Sequence, residues 1–366
     1  MVTRSAIAVI GAGLAGAACA RTLAQSAHDV TVFDLADRPA RGASGNPVGI
    51  LHSLFSRDHN LASQWIDLGM ACTLRWLNEL QPLADAAGLG RLGESCGVLQ
   101  MNGDASALVS WDPMGAWIRP AAFVQTCLLQ AQSHGARLRL NDAVIAVSDD
   151  AQLQLADGRW EPFDAVVICA GEATDTLLPQ AALALNAIRG TISTYAVPDH
   201  VQGLPCVICA TGYATPVIHG EMVVGASFER LTESDADESA LSESMSNLER
   251  LKIIAPQLAQ HCADGFVQER TSIRSATLDR MPHVGRIVDH RVSLSASVSR
   301  LEHMPRHPKL WVLGGLGARG LSSAPLGAEV IAAQMQGREL PIAPRVVQAV
   351  DPVRFALRRH QRRAAC

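Results

Sequence analysis

An α/β protein, with a Rossmann-type dinucleotide-binding domain joined to a second, α+β domain built on an antiparallel sheet, is predicted by three features of this chain. The first is an apolar strand, Ala6-Ile-Ala-Val-Ile, that runs into Gly11-x-Gly13-x-x-Gly16 and an alanine-rich helix, followed by a strand ending in Asp34. The second is a late recurrence of the same device, where Leu310 to Leu313 leads into Gly314-Gly315-x-Gly317-x-x-Gly320. The third is a run of strands between Ile188 and Phe228 with no helix between them, which implies antiparallel pairing.

The glycines of the first motif have separate tasks. Gly11 makes the tight turn out of the strand, Gly13 lets backbone approach a pyrophosphate, and Gly16 lets the helix pack close to the sheet. Leu14 and Ala15 open that helix, whose amides and positive dipole end face the phosphates. Asp34 stands about 20 residues on, where a carboxylate accepts the ribose hydroxyls. An arginine before an apolar run also suits a secretory leader, but fixed glycine spacing and an immediate second strand with its acid do not. The segment is therefore read as structure and the chain as cytoplasmic.

The remaining elements follow in order. The glycine-rich loop Arg41 to Leu51 leaves the Asp34 strand and is expected to return toward the cofactor. Helical periodicity then runs from about Asn60 to Leu80, through Leu61, Trp65, Leu68, Leu74 and Leu77. Short strands are expected at Gly97-Val-Leu-Gln and Gly115-Ala-Trp-Ile-Arg, a helix over 121–134, and a strand and hairpin from Arg137 to Leu155 with an Asp157-Gly158 turn. Phe163 to Gly171 reads as a buried parallel strand that rejoins the N-terminal sheet. Helices are expected at about Glu238 to Ala255 and Leu326 to Met335. The boundaries implied are 1–85 with 135–187 and 266–345 for the dinucleotide domain, 86–134 with 188–265 for the substrate domain, and 346–366 for a basic C-terminal tail.

Of 366 residues 48% are hydrophobic, yet no apolar run is long enough to cross a bilayer, so no membrane partner is expected. The net charge of −4 gives no global basic field for nucleic acid. Charge is uneven, however: Glu229, Glu233, Asp235, Asp237, Glu238, Glu243 and Glu249 cluster, and Arg354, Arg358, Arg359, Arg362 and Arg363 crowd the tail. That tail is either a solvated helix or a strip that neutralises phosphates. Nine cysteines show no ligand framework, and Cys206 and Cys209 lie three apart on one strand, facing opposite sides, so no metal site is expected.

The late glycine cluster places a second helix N-terminus in the fold. With the pyrophosphate held near Gly11 to Gly16, its natural target is a flavin ring, whose N1–C2=O edge becomes negative on reduction. A plain packing turn at a strand–helix junction is the alternative.

These blocks, with Gly42-Ala-Ser-Gly-Asn46 and Ala170-Gly171, resemble the FAD-dependent amino-acid oxidase superfamily that includes glycine, sarcosine and D-amino-acid oxidases. Longer stretches are similar, more narrowly, to the oxidoreductase half of the MnmC family of tRNA wobble-uridine modifying enzymes: Gly42 to His52, Gly212 to Pro216, Gly225 to Phe228, Arg274 to Gly285, Leu313 to Leu326 and Asp351 to Phe355. The resemblance implies an amino-acid oxidase-like fold and non-covalent FAD. It assigns to the cofactor Gly11, Gly13, Leu14, Ala15, Gly16, Asp34, Ser44, Asn46, Gly49, Ala170, Gly171, Gly315, Gly317, Ala318, Arg319, Gly320 and Leu321.

It further implies oxidation of a CH–NH bond: removal of the carboxymethyl group from 5-carboxymethylaminomethyl(-2-thio)uridine in tRNA, leaving the aminomethyl nucleoside and glyoxylate. Molecular oxygen or another acceptor would take the electrons. Two-activity members of that family carry a methyltransferase domain before the FAD half, so methylation here is expected from a separate protein or not at all. Arg274 matches the arginine that binds a substrate carboxylate in related oxidases, with a structural salt bridge as its alternative role. Tyr213 either closes over the ligand or packs in the sheet. Arg319 faces the ring or the RNA, and His52 faces the flavin or is a satisfied structural histidine. Two other functions share these residues: an oxidase or dehydrogenase of a small free amino acid such as glycine, sarcosine or a D-amino acid, and a flavin- or RNA-binding protein without turnover.

Overall fold

The computed structural model describes residues 4–231, 245–262, 264–295 and 298–364. Glu233, Asp235, Asp237, Glu238, Glu243 and the start of the helix expected from Glu238 lie outside them. The helix described there is Asn247–Ile254, opened by a capping box in which the Ser246 hydroxyl and the Glu249 carboxylate each accept from the other's backbone amide.

A six-stranded sheet forms the first layer. Its strands run Ala6–Ile10 between Ala165–Ile168 and Asp29–Phe33, extended by Arg306–Gly314 on one side and Arg137–Arg139 on the other, all parallel. His283–Val288 closes the edge antiparallel to Arg306–Gly314. Alternate residues of the first strand are buried on opposite faces. Ile7 and Val9 meet the helices, with Trp65, Trp76 and Phe123, whereas Ala8 and Ile10 meet Leu153 and Leu155 of a three-stranded meander. Burial on both faces explains why the strand reads as a continuous apolar run.

The helix layer holds Leu14–Gln25, Leu61–Ala86, Pro120–Ser133 and Gly320–Met335. Arg21 ties three of these together. Its guanidinium donates to Gln130 and Glu79 and stacks over Trp76. The helix Pro120–Ser133 therefore belongs to the dinucleotide layer, a correction to the boundary that put 86–134 in the substrate domain.

The second sheet has eight strands, in the order Glu229–Arg230, Leu185–Ala196, Glu221–Gly225, Tyr213–Ala214, Val207–Cys209, Val98–Met101 and Leu108–Asp112. Phe266–Thr277 pairs with the free side of Leu185–Ala196 along nearly its whole length, from Leu185↔Thr277 to Tyr195↔Phe266. This is the second boundary correction, because residues 266–277 had been assigned to the dinucleotide domain. A strand of alternating pattern carries no label for which sheet it joins; twelve residues of partner strand decide it.

The C-terminal stretch is not a separate tail. Pro344–Ala349 buries Val346 and Val347 in the main core, and Val353 and Leu357 pack on Met304. Arg354, 4% exposed, makes two bonds to the Asp279 carboxylate and others to the carbonyls of Met281 and Pro282. It also donates to Nδ1 of His283, whose Nε2 bonds the Leu183 carbonyl at 2.8 Å. Arg358 reaches Asp279 and Arg359 the Ala182 carbonyl. The expectation of a phosphate-neutralising strip fails for Arg354, whose charge is spent inside the protein.

This cluster sets a pH dependence. Burial, reinforced by the Arg354 charge, lowers the His283 pKa to about 3. Burial alone would raise Asp279, but the hydrogen bonds and charge of Arg354 hold it at about 2. Below the ordinary histidine value of about 6.5 the unfolded chain takes up a proton that folded His283 refuses, so stability falls as pH drops from there toward 3. We expect urea-unfolding free energy to lose up to about 1.4 kcal/mol per pH unit from this group over that window. Arg354→Ala should cost about 3 kcal/mol at pH 7.5, since it removes two bonds from the half-buried Asp279 carboxylate and leaves the carbonyls of Met281 and Pro282 without their donor; a variant as stable as wild type would remove the lock.

Candidate active site

The first strand delivers the chain to Gly11, whose φ of +102° suits glycine and whose amide donates to the Phe33 carbonyl at 2.7 Å. A Cβ on Gly11 would stand 2.5 Å from the Cys169 carbonyl oxygen, and one on Gly16 only 1.7 Å from that of Gly11. Strand, loop and helix therefore meet backbone to backbone. The first-turn amides of Leu14–Gln25 have no carbonyl within the helix to reach, and they open toward the loop.

Asp34 and Ser44 frame this opening. The Asp34 carboxylate accepts from the amides of Ala12 at 2.6 Å and Ala36 at 2.8 Å, leaving one lone pair on each oxygen for a hydroxyl donor. The Ser44 hydroxyl accepts from the Leu14 amide at 2.9 Å, so the glycine-rich loop does fold back onto the helix N-terminus. Arg270 holds it there, donating to the carbonyls of Arg41 and Gly42. Asn46 carries a buried side-chain oxygen with no hydrogen-bond partner among the described residues. Ala170 and Gly171 lie where Ala165–Ile168 ends, in the turn that begins beside Gly11.

The second glycine loop arrives from the other side. Gly315 and Gly317 both have positive φ, and Gly317 donates its amide to the Ser275 carbonyl at 2.8 Å. Arg319 caps the helix Gly320–Met335, which starts six residues before the expected Leu326. Pro325 misled that expectation, because it cannot donate back to the Leu321 carbonyl. The Thr73 hydroxyl donates there instead, at 2.7 Å, so the helix runs through its proline. Gly49 faces Leu321 and Gly320 faces Leu14, so the two loops adjoin.

His52 and Arg319 line the same region. The His52 Nδ1 bonds the Ser53 carbonyl at 2.8 Å, and burial, with the Arg319 charge nearby, lowers its pKa and keeps the ring neutral. Burial likewise lowers Arg319, and Arg280 adds to it.

Arg274 and Tyr213 come together across the second sheet. Arg274 stands opposite Ile188, but its guanidinium crosses the strand over Gly190, where a Cβ would meet its nitrogens and carbon at 2.5 to 2.7 Å. There it stacks on Phe228, 4.8 Å from the ring centre. It is 8% exposed, and its Nη1 is buried with no hydrogen-bond partner among the described residues. Among the described residues it forms no salt bridge, and the charge that registers on it there is that of Tyr213. Burial pushes the Tyr213 hydroxyl up to about 12, keeping it a hydrogen-bond donor at neutral pH. Its ring lies against Gly225, whose missing Cβ would stand 3.2 Å from the hydroxyl oxygen. Ser275 next to Arg274 receives the Gly317 amide, so Arg274 and the second glycine loop are neighbours.

Sequence reasoning missed Gly190, Phe228 and Arg270. A glycine inside a strand marks a close approach, which was the available sign for Gly190. A shallow cleft of about 270 Å³ lined by Arg91, Trp117, Pro216 and His219 lies elsewhere and contains none of these residues.

Fold and site together define a two-domain, dinucleotide-dependent oxidoreductase, in which glycine loops from the same end of two parallel strands, Ala6–Ile10 and Arg306–Gly314, converge beside a buried arginine. The chain belongs to the FAD dependent oxidoreductase (DAO) family, whose model matches residues 6–109 and 101–334. It is 30% identical, over 96% of its length, to the tRNA 5-methylaminomethyl-2-thiouridine biosynthesis bifunctional protein MnmC of Aeromonas hydrophila, and 33% identical, again over 96%, to that of Pseudomonas putida. It spans about 59–60% of those proteins. Among solved structures it superposes on glycine oxidase from Geobacillus kaustophilus with a TM-score of 0.76 at 19% identity, covering 96% of this chain and 99% of that one. Iminodiacetate oxidase from Chelativorans gives 0.69 at 21% identity, covering 93% and 98%. The amino-acid oxidase-like fold expected from the sequence is thus observed. No helix among the described residues is long and apolar enough to cross a membrane.

Two substitutions test this geometry. Gly16→Ala puts a methyl 1.7 Å from a backbone oxygen, and we expect protein that retains less than a tenth of the wild-type flavin absorbance. Gly190→Ala, where φ is ordinary, is expected to fold and keep its flavin but to lose at least about tenfold in affinity for a carboxylate ligand, read by flavin spectral titration. Unchanged affinity would show that the lane over Gly190 does not place Arg274.

Proposed function

We propose that this chain removes the carboxymethyl group from 5-carboxymethylaminomethyl(-2-thio)uridine at the tRNA wobble position, giving 5-aminomethyl(-2-thio)uridine and glyoxylate. The carrying observation is Arg274: a buried guanidinium with an unused donor, beside Tyr213 and the second glycine loop. Similarity to the MnmC proteins over nearly the whole chain supports the choice of substrate.

The substrate side chain is an N-substituted glycine: a secondary amine, a CH2 and a carboxylate. When bound, non-covalent FAD supplies the two-electron acceptor for the CH2 hydrogen, and oxygen or another acceptor then restores it. The amine proton leaves to solvent, and water splits the resulting imine into primary amine and glyoxylate. Arg274 grips the carboxylate with two parallel N–H donors and fixes the CH2 in one place. Tyr213, protonated at neutral pH, donates a further hydrogen bond toward the same group. Asp34, the Gly11 to Gly16 loop and Ser44 hold the dinucleotide end of the cofactor, and Gly315 to Leu321, with Arg319, its ring end. Arg319 and Arg274 both bring positive charge where electrons arrive.

The test is nucleoside mass analysis of carboxymethylaminomethyl-containing tRNA before and after incubation with the yellow protein, with glycine and sarcosine in parallel. Conversion to the aminomethyl nucleoside with equimolar glyoxylate is expected, and Arg274→Gln should lower kcat/KM at least about a hundredfold while retaining flavin. Unchanged tRNA, with flavin reduction by free amino acids, would instead establish a small amino-acid oxidase.

A further inference from the structure

We infer, on the reading that the substrate is a modified uridine in RNA, that Arg230 and Arg280 hold phosphates of the RNA chain that carries it, beside the carboxylate seat at Arg274.

The second sheet sorts its charges by face. Glu229–Arg230, Leu185–Ala196 and Phe266–Thr277 lie side by side, and Arg230, Ile188 and Arg274 form one row across them. Directly paired residues share a face and successive residues alternate, so the face of Arg274 also carries Arg270, which is paired with Ile192. Glu229, paired with Arg189, and Glu269, paired with Ser193, fall on the other face. There the Ser193 hydroxyl donates to Glu269 at 3.2 Å, and Asn247 of the covering helix donates to Ser193 at 2.9 Å. On these three strands the site face thus holds three arginines and no carboxylate.

Two of the three are engaged: Arg270 with the carbonyls of Arg41 and Gly42, and Arg274 with the substrate carboxylate. Arg230 is exposed and has no hydrogen-bond or ion-pair partner among the described residues. Two strand spacings, about 10 Å, separate its backbone from that of Arg274. Arg280 stands beyond the other edge of Phe266–Thr277, on the side where Ala276 bridges to Leu316 of the second glycine loop. Its turn is fixed. The Arg280 amide donates to the Thr277 carbonyl at 3.2 Å, the Thr277 hydroxyl donates to the Met281 carbonyl at 2.7 Å, and Arg354 bonds Asp279 twice. Arg280 itself is exposed and lacks a carboxylate partner among the described residues, and its charge adds to the burial that lowers Arg319.

Cations gathered without counter-charge repel one another until an anion arrives. A free N-substituted glycine brings one carboxylate, which Arg274 takes, and leaves Arg230 and Arg280 unanswered. A uridine within RNA brings the same carboxylate together with a phosphodiester on each side, the group that a guanidinium fork matches. In a chain of net charge −4, this local surplus is what a polyanion meets.

The experiment compares wild type, Arg230→Ala, Arg280→Ala and Arg230→Lys on an anticodon stem-loop bearing the modified uridine, on the free modified nucleoside, which has no phosphate, and on N-methylglycine and iminodiacetate. Stem-loop Kd is read by fluorescence anisotropy over a range of salt concentrations, which needs no turnover. Each alanine variant should raise Kd about fivefold at low salt and flatten the slope of log Kd against log salt by about 0.7, with kinetics on the three phosphate-free substrates within about twofold of wild type. Arg230→Lys, which keeps the charge, should keep the slope. An unchanged slope in both alanine variants, while wild type converts the stem-loop, would overturn the phosphate contacts and leave the uridine reading standing. Equal losses on the free nucleoside would mean that these arginines act through Arg274 or the flavin, and a loss on iminodiacetate would assign them to the second carboxylate of a small substrate; each overturns the inference. Wild type that oxidises N-methylglycine but neither binds nor converts the stem-loop would overturn the uridine reading itself, and the phosphate contacts with it.

Discussion

The pairing of Phe266–Thr277 with Leu185–Ala196 is the interaction on which the site depends. One strand carries Arg274, offers the Ser275 carbonyl to the second glycine loop, and sends Arg270 back to the carbonyls of the first loop's cover. Cofactor loops and substrate sheet thus share a single ruler. A slip of one residue would turn Arg274 to the opposite face of the sheet and leave the Gly317 amide without its acceptor. Eleven matched pairs hold that register, with one irregularity at Thr194/Tyr195, well away from Arg274.

Charge separates site from scaffold. Arg21 and Arg354 are buried, and each is answered by a carboxylate, Glu79 and Asp279. Arg274 is also buried, but the described residues answer it only with a phenol and an aromatic face. Burial strips each of these arginines of water, and on the proposed function the substrate carboxylate is what answers Arg274.

What could be read from the sequence was local in origin. The first glycine loop, its helix and Asp34 follow from spacing within 34 residues, and their geometry in the structure is backbone contact that only glycine permits at Gly11 and Gly16. Arg274 was singled out through resemblance and Tyr213 through its place on an expected strand, and in the structure the charge of one registers on the other. What escaped was decided at long range. The run of that helix through Pro325 draws on a hydroxyl from Thr73 to the Leu321 carbonyl, 248 residues away in the chain, which no helical pattern can anticipate. The role of Arg354 depends on Asp279 and His283, and in sequence it looks like any other arginine in a basic run. The allegiance of Phe266–Thr277, and the lane over Gly190, exist only once two strands are laid side by side.

The open donor on Arg274 has a consequence beyond the substrate. A guanidinium recognises the planar, two-oxygen head of a carboxylate and nothing behind it, so acetate, formate and glyoxylate present it with the same partner. On the proposed function, any such anion in the medium competes for the seat at Arg274. Selectivity would then be a property of the walls around it, and binding constants measured in acetate or citrate buffer would report displacement rather than simple occupation.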